Sequence, residues 1–195
     1  MPFTTGVLLY PDAEELDFVG PWEVFGMARR DGDRVVTIAQ TDEPVRANLG
    51  LHVTPDHTFE DAPPLDVIVV PGGQGSRREV DNPVLVEWLK AAAASCSWIT
   101  SVCTGLFLLR AAGIATDRRV TTHWASIDRL REAGGVEVVD DARFVRDGNV
   151  VSAAGVSAGI DMSLWVVGQL YEPAHARLVQ RMMEYHPAPP YTAEV

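Results

Sequence analysis

Short, continuous apolar runs alternate with longer helix-forming segments along most of this chain. The runs are rich in β-branched or large apolar residues and stop at proline, glycine or a polar residue, which is typical of strands buried on both faces of a sheet. On this pattern the sequence predicts strands at residues 6–10, 34–39, 66–70, 98–102, 136–139, 143–146 and 149–153, with an edge hairpin at residues 52–59.

The segments between these runs predict helices at residues 20–28, 83–95, 104–112, 125–133 and 159–171, and a last helix that ends near residue 185. Pro21 falls in the first turn of the first helix, where its missing N–H is tolerated. Residues 14–17 are expected to be a polar connection before it. Alternating strands and helices predict an α/β fold, a doubly wound, mostly parallel sheet with helices on both faces. The length predicts a single domain over residues 1–195.

One cysteine lies where a predicted strand meets a predicted helix. Cys103 follows the apolar run 98–102 and precedes the run that begins at Leu106. A sharp strand-to-helix turn at such a place lifts a nucleophile out of the sheet and forms a nucleophile elbow. The helix N-terminus is then expected to favour the thiolate, and free backbone N–H groups can bind developing negative charge. The alternative is that Cys103 is a small buried apolar side chain.

Two other strand ends carry candidate chemistry, because ligands bind at the carboxyl ends of strands in parallel sheets. Asp17 follows the first strand between two apolar residues. Burial there would raise its pKa toward general-acid duty, whereas the common alternative is a helix-capping acid. Gly72 and Gly73 end the strand 66–70. They are candidates for an oxyanion hole, since a glycine N–H can approach a ligand closely, or they form a plain turn.

A histidine and a tryptophan further along the chain are candidates for substrate binding. His123 could serve Cys103 as a base, and its neighbour Trp124 indicates a partly buried site. The alternative for His123 is a hydrogen-bonded structural role. Cys96 is expected to pack in the core. The other histidines show no metal-ligand spacing, and the sequence has neither a P-loop nor a dinucleotide fingerprint.

Charge and composition narrow the classes of partner. The net charge of −11 and the pI of about 4.8 argue against nucleic acid or an anionic membrane surface. Two cysteines argue against a disulfide framework and a cysteine metal site. No run approaches the roughly 20 apolar residues that span a bilayer. The first residues lack the basic and apolar regions of a signal peptide, so we expect a cytoplasmic protein.

Five segments together resemble the ThiJ/PfpI superfamily, which is related to the class I glutamine amidotransferases: residues 16–21, 66–73, 101–105, 121–124 and 158–161. The resemblance covers nearly the whole chain and implies a flavodoxin-like fold and a homodimer. Within this group the chain is most similar to isocyanide hydratases, which have an aspartate at the position of Asp17 and a threonine after the cysteine, here Thr104. The tail at residues 185–191 also fits their pattern.

Related activities lack their characteristic residues here. Thr104 stands where the intracellular proteases of the superfamily have a histidine. Ala188 stands where the His-x-Glu motif of the glutaminases needs an acid. AraC-type regulators share much of this domain but add a C-terminal helix-turn-helix domain, which we do not expect in a chain that stops at residue 195.

The resemblance implies hydration of isocyanides to N-substituted formamides, without a metal or another cofactor. Cys103 would form a thioimidate with this small-molecule substrate, and Asp17 would act as general acid and base. The hydroxyl of Thr104 and the N–H groups of Gly73 and Thr104 would orient the substrate. Two alternatives stay open: a glyoxalase or hydrolase that acts on small carbonyl compounds, and a non-enzymatic redox-sensing or ligand-binding module.

Overall fold

The fold centres on a mostly parallel sheet of seven strands. The computed structural model describes residues 2–187, and the strands within this range are β1 (Thr4–Leu8), β2 (Arg34–Ala39), β3 (Val45–Arg46), β4 (His52–Val53), β5 (His57–Thr58), β6 (Val67–Val70), β7 (Trp98–Val102), β8 (Arg119–Val120), β9 (Glu137–Val138), β10 (Phe144–Asp147) and β11 (Val150–Ala153). The central sheet has the order β10-β11-β7-β6-β1-β2-β5. β10 runs antiparallel to β11, and the other neighbouring pairs of this sheet are parallel.

Helices cover both faces of this sheet. Those of the described residues are α1 (Glu15–Ala28), α2 (Ser76–Glu79), α3 (Pro83–Ala93), α4 (Leu106–Ala111), α5 (Ile127–Ala133), α6 (Ala158–Leu170) and α7 (Pro173–Met182). α1, α6 and α7 pack against one another, and α2 and α3 pack against α4. Short 3₁₀ turns at Cys103–Gly105 and Trp124–Ser126 precede α4 and α5. The predicted doubly wound α/β class is confirmed.

The central strands read as unbroken apolar runs because they are buried on both faces. Every residue of β1 and of β6 is buried, as expected for parallel strands between two helical layers. β6 lies between β1 and β7 in the sheet. The chain segments that follow these three parallel strands therefore emerge side by side at one edge of the sheet, where ligand sites of such folds form.

The first helix differs from the prediction. α1 begins at Glu15, so residues 14–17 are not a polar connection, and Asp17 belongs to the first helical turn. Pro21 consequently lies inside the helix and not in its first turn. Because proline has no N–H, it cannot donate to the carbonyl of Asp17 four residues earlier. The turn that carries Asp17 therefore lacks one of the bonds that would tie it to the rest of α1.

The predicted hairpin at residues 52–59 is also wrong. β4 pairs antiparallel with β3, whereas β5 joins the edge of the main sheet parallel to β2. Strands of two residues are positioned by their tertiary neighbours and not by their own pattern. For the same reason β3, β8 and the four-residue helix α2 were not predicted. The other predicted elements lie within three residues of their expected bounds.

The tail that resembles isocyanide hydratases lies only partly within the structure. Its last residues, 188–191, fall outside the described residues. Across residues 2–187, no helix is both long enough and apolar enough to cross a membrane.

Candidate active site

Cys103 occupies a tight turn between β7 and the 3₁₀ turn that precedes α4. Its φ of +55° is a left-handed conformation that is uncommon for a residue with a Cβ. The N–H of Cys103 donates to the carbonyl of Ala154 at 2.7 Å, and the hydroxyl of Thr122 donates to the carbonyl of Cys103 at 2.7 Å. Gly105 completes the turn, because a Cβ there would lie 2.2 Å from the carbonyl oxygen of Val70. The predicted nucleophile elbow is confirmed.

The surroundings of the Cys103 thiol disfavour its ionisation. Burial raises the pKa of this thiol to about 12, and the charge of Asp17 contributes to the rise. Hydrogen bonds from the N–H groups of Thr104 and Val156 and from the Thr104 hydroxyl lower the pKa, but they do not outweigh burial. The net effect of these surroundings on the pKa of the thiol is therefore opposite to the thiolate-favouring effect expected of the helix N-terminus. The cysteine begins a 3₁₀ turn, and α4 starts only at Leu106.

Asp17 lies beside the thiol with its side chain fully buried. Its Oδ2 accepts a hydrogen bond from the N–H of Gly72 at 2.9 Å, while Oδ1 is buried without a hydrogen-bond partner among the described residues. Burial raises the pKa of Asp17 to about 7; the charge of Glu14 adds to the rise, whereas the Gly72 hydrogen bond and the Cys103 thiol oppose it. Near neutral pH this carboxyl group is divided between its protonated and ionised forms, which suits a group that accepts and returns a proton.

The N–H groups of Gly72 and Gly73 are already engaged within the protein. That of Gly72 donates to Asp17, and that of Gly73 donates to Oγ1 of Thr104 at 3.0 Å. The expectation that they form a free oxyanion hole is therefore corrected. Their small size serves close packing, because a Cβ on Gly72 would lie 2.5 Å from the nitrogen of Thr104 and one on Gly73 would lie 2.4 Å from that of Glu14. The backbone donors next to the sulfur are the N–H groups of Thr104 and Val156.

Thr104 takes part in a buried hydroxyl network with Ser76, which no sequence pattern had singled out. Oγ of Ser76 lies 2.8 Å from the carbonyl of Gly73 and 2.9 Å from Oγ1 of Thr104. Thr104 lies farther from the same carbonyl, at 3.2 Å. Ser76 can therefore satisfy the carbonyl of Gly73 and leave the proton of the Thr104 hydroxyl for the sulfur of Cys103. Ser76 is 1% exposed, so this arrangement is shielded from water.

His123 and Trp124 take different positions. Nδ1 of His123 accepts the N–H of Ala125 at 3.2 Å and caps the 3₁₀ turn. In the neutral ring the proton is then on Nε2, so Nδ1 is not available as a base for Cys103. His123 lines the cavity above the cysteine. Trp124 is 77% exposed and does not line that cavity, whereas His123 is half-buried.

The cavity above Cys103 has a volume of about 250 Å³. Its lining includes Gly73, Cys103, Thr104, His123 and Val156, together with the polar side chains of Glu14, Asn48, Gln74 and Arg77. Asp17 and Gly72 are buried and are not part of this lining. A reactant that enters the cavity thus meets the thiol from the open side, while the carboxyl group acts from the buried side.

The described part of the chain has no cluster of three or more His, Cys, Asp or Glu side chains arranged to hold a metal ion. The site brings together a thiol, a carboxyl group of raised pKa and the backbone N–H groups of Thr104 and Val156.

Comparisons with known proteins identify the family of the chain. The chain matches the profile of the DJ-1/PfpI family over residues 5–169. It is 40% identical over 191 residues to an isonitrile hydratase of Pseudomonas putida, an alignment that covers 98% of this chain and 82% of that protein. It is 32% identical over 170 residues to the glutathione-independent glyoxalase DJR-1.2 of Caenorhabditis elegans, which covers 86% and 88%.

A crystal structure of a ThiJ/PfpI family protein from Pseudomonas syringae shares the fold, with a TM-score of 0.92 at 34% identity, covering 100% of this chain and 80% of that one. The profile match, the sequence identity and the shared fold extend over most of the chain. The chain therefore belongs to the DJ-1/PfpI family, also called ThiJ/PfpI.

Proposed function

We propose that this protein is an enzyme that hydrates isonitriles (isocyanides) to N-substituted formamides, with Cys103 as nucleophile and Asp17 as general acid and base. The observation that carries the proposal is the buried carboxyl group of Asp17 beside the thiol of Cys103, at the base of an open cavity. The similarity to an isonitrile hydratase supports the same reaction class. Addition of water to an isonitrile needs no oxidant or reductant.

In the first step the sulfur of Cys103 attacks the terminal carbon of the isonitrile. A C–S bond forms, and the thiol proton ends on the same carbon, which gives a thioimidate, R–N=CH–S–Cys. Ionised Asp17 accepts the proton from the thiol and delivers it to the carbon. The donors next to the sulfur, the N–H groups of Thr104 and Val156, stabilise negative charge as it develops.

The high pKa of the thiol does not prevent this step. A complete transfer of its proton to Asp17, from a pKa of about 12 to one of about 7, is uphill by roughly 7 kcal/mol or less, because protonation of Asp17 removes the charge that contributes to the raised pKa of the thiol. A turnover rate of about 10 s⁻¹ corresponds to a barrier of about 16 kcal/mol. The transfer therefore fits within an ordinary enzymatic barrier, and it costs less when it is concerted with C–S bond formation.

In the second step water adds to the thioimidate carbon. Asp17 takes one proton from the water and gives it to the nitrogen, which forms R–NH–CH(OH)–S–Cys. Asp17 then takes the hydroxyl proton as the C–S bond breaks and R–NH–CHO is released. The proton returns to the sulfur, so the thiol and the carboxyl group regain their starting states. Nε2 of His123, which carries the proton of the neutral ring, is a further donor that lines this cavity.

The test is formamide production from a simple aryl isonitrile by the wild type and by three variants. Cys103→Ala and Asp17→Asn should each lose at least about a hundredfold in rate. Cys96→Ser is the matched control, because Cys96 is a buried cysteine that does not line the cavity. Wild-type protein that gives no formamide, or a Cys103→Ala variant that keeps its rate, would contradict the proposal.

A second candidate is a glyoxalase or hydrolase in which Cys103 attacks the C=O group of a small carbonyl compound. The similarity to a glutathione-independent glyoxalase favours it. Turnover of methylglyoxal without turnover of isonitriles would select this reaction. Stoichiometric oxidation of Cys103 by peroxide, with no turnover of either substrate, would select a redox-sensing or ligand-binding role instead.

We also propose that the chain forms a homodimer through α1. Leu16, Val19 and Trp22 follow one another at intervals of three residues, so they share one side of the helix. They are 38%, 38% and 42% exposed, which is unusual for apolar side chains that adjoin one another. A second copy of the chain that covers this side would remove it from water.

A further inference from the structure

The polar side of the cavity contains a cation without a counter-ion. Arg77 lines the cavity together with Cys103, and its guanidinium group takes part in no ion pair among residues 2–187. Its neighbour Arg78 differs, since it pairs with Glu79 at 3.0 Å and with Asp12 at 3.4 Å. In a chain with a net charge of −11, an arginine left without a carboxylate partner beside the candidate nucleophile is available to a ligand.

The guanidinium group of Arg77 is oriented by a second cavity residue. Its Nη1 donates to Oε1 of Gln74 at 2.5 Å. Arginine presents five N–H donors in a planar fork, so one bond to Gln74 leaves other donors free to bind both oxygens of a carboxylate.

The carboxylate of Glu14 makes the charge distribution in the cavity asymmetric. Glu14 also lines it and accepts a hydrogen bond from Nδ2 of Asn48 at 2.9 Å, but it pairs with no cation in the described part of the chain. A small anion that enters is attracted by Arg77 and repelled by Glu14. These two groups therefore favour one orientation of a reactant that carries a single negative charge.

We propose that Arg77 makes this site selective for small electrophiles that carry a carboxylate group, such as isocyano acids. The proposal rests on the assignment of Cys103 as the nucleophile. The volume of about 250 Å³ suits a small reactant, since pockets for drug-sized ligands measure roughly 300–1,000 Å³. Within that size a carboxylate held by Arg77 directs the reactive carbon of the same molecule toward the sulfur.

The selectivity can be measured without assuming any natural reaction. Iodoacetate and iodoacetamide both alkylate a thiol, with formation of a C–S bond and loss of iodide, and they differ chiefly in charge. In a Cys96→Ser background Cys103 is the only thiol. The ratio of the two rate constants, iodoacetate over iodoacetamide, cancels changes in the reactivity of the sulfur and reports how the cavity treats a carboxylate.

Arg77→Gln should lower this ratio by about tenfold, the scale of one charge-assisted hydrogen bond. Glu14→Gln should raise it about two- to threefold by removing the repulsion. Arg181→Gln, an exposed arginine of α7 outside the cavity, makes the same change in net charge and should leave the ratio unchanged. An equal ratio in wild type and Arg77→Gln would overturn the proposal, as would failure of both reagents to reach Cys103.

With isonitriles, the same comparison uses isocyanoacetate and its neutral methyl ester. Arg77→Gln should reduce kcat/KM for the acid by about tenfold and leave the ester nearly unchanged. If the wild type turned over neither compound, the proposed hydratase activity would be contradicted, but the selectivity of Arg77 would not. The alkylation ratio would still decide whether Arg77 selects a carboxylate.

Discussion

The N–H of Gly72 donates a hydrogen bond of 2.9 Å to Oδ2 of Asp17 and ties the segment after β6 to the first turn of α1. This bond satisfies only one oxygen, because Oδ1 is buried without a partner among the described residues. Burial therefore outweighs the bond and raises the pKa of the carboxyl group to about 7. A carboxylate in such a place destabilises the folded state. The proposed acid–base group should therefore lower the free energy of unfolding when it is ionised.

Asp17→Asn should stabilise the protein above neutral pH. In the unfolded chain the carboxyl group ionises near its ordinary pKa of 3.8, whereas in the folded protein it ionises near 7. The free energy of unfolding of the wild type, relative to that of the variant, is therefore highest below pH 4. It falls as pH rises between about 4 and 7 and stays low above that. The expected gain of the variant is up to about 4 kcal/mol at pH 8 and close to zero at pH 4, measured by denaturant unfolding.

Asp33→Asn is a control that should change the free energy of unfolding at pH 8 in the opposite direction. Burial opposes ionisation of Asp33, but hydrogen bonds from the Tyr171 hydroxyl and from the N–H groups of Phe3 and Arg30 lower its pKa. Neutralising it should destabilise the protein at pH 8 and have little effect at acidic pH. An Asp17→Asn variant that is less stable than the wild type at pH 8 would show that the carboxylate is better solvated than its surroundings indicate.

Asp17→Asn should also separate the reactivity of the thiol from catalysis. The negative charge of Asp17 contributes to the raised pKa of Cys103, so its removal lowers that pKa. Alkylation of Cys103 by iodoacetamide at pH 8.5 should become several-fold faster, while formation of formamide falls because the proton carrier is gone. Cys96, whose pKa is raised by burial and by Asp66, serves as an internal reference and should keep its alkylation rate. Parallel loss of both activities would argue against a proton-transfer role for Asp17.

Ser76 and Thr104 should behave as a coupled pair. Ser76→Ala removes the hydroxyl that bonds the carbonyl of Gly73 at 2.8 Å, so the Thr104 hydroxyl should turn toward that carbonyl and away from the sulfur. We expect a several-fold loss in kcat with little change in KM, and a larger loss for Thr104→Val. The double variant should be no worse than Thr104→Val alone, because contacting residues are not additive. Additive losses would mean that the two hydroxyls act independently.

Trp22→Glu should shift the protein from dimer to monomer. A charge on the exposed apolar side of α1 must be desolvated if a second copy covers it. Leu178→Glu is the matched control, since Leu178 is an exposed apolar residue of another helix, α7. Sedimentation at several protein concentrations measures the result. A wild type that is monomeric at all of them, or equal effects of both substitutions, would contradict the proposed interface.

The sheet could be predicted from the sequence because its central strands are buried on both faces and carry continuous apolar runs. The elbow at Cys103 could be predicted for the same reason, since a strand of this kind leads directly into it. The position of Asp17 in a helix could not, because residues 14–17 are polar and Pro21 suggested a later start. Burial of the acid follows from packing against segments that lie far away in sequence.

The details of the site depend on such distant contacts. Gly73 and Thr104 are 31 residues apart, and their hydrogen bond removes a donor that local sequence left free. Ser76 lies on a helix of only four residues, which has no periodic pattern to detect. The exposure of Trp124 is likewise set by the turn that His123 caps, and a tryptophan beside a histidine gives no local sign of it.

The strained turn at Cys103 is held by bonds to Ala154 and Thr122, which belong to two other parts of the chain. Both bonds are made by the backbone of Cys103, so we expect the direction of its side chain to depend on contacts with these two distant segments. Activity is therefore a more sensitive reporter of native packing than secondary structure. Mild denaturant should abolish turnover before the circular dichroism of the sheet changes. A preparation with a native circular dichroism spectrum can therefore lack activity.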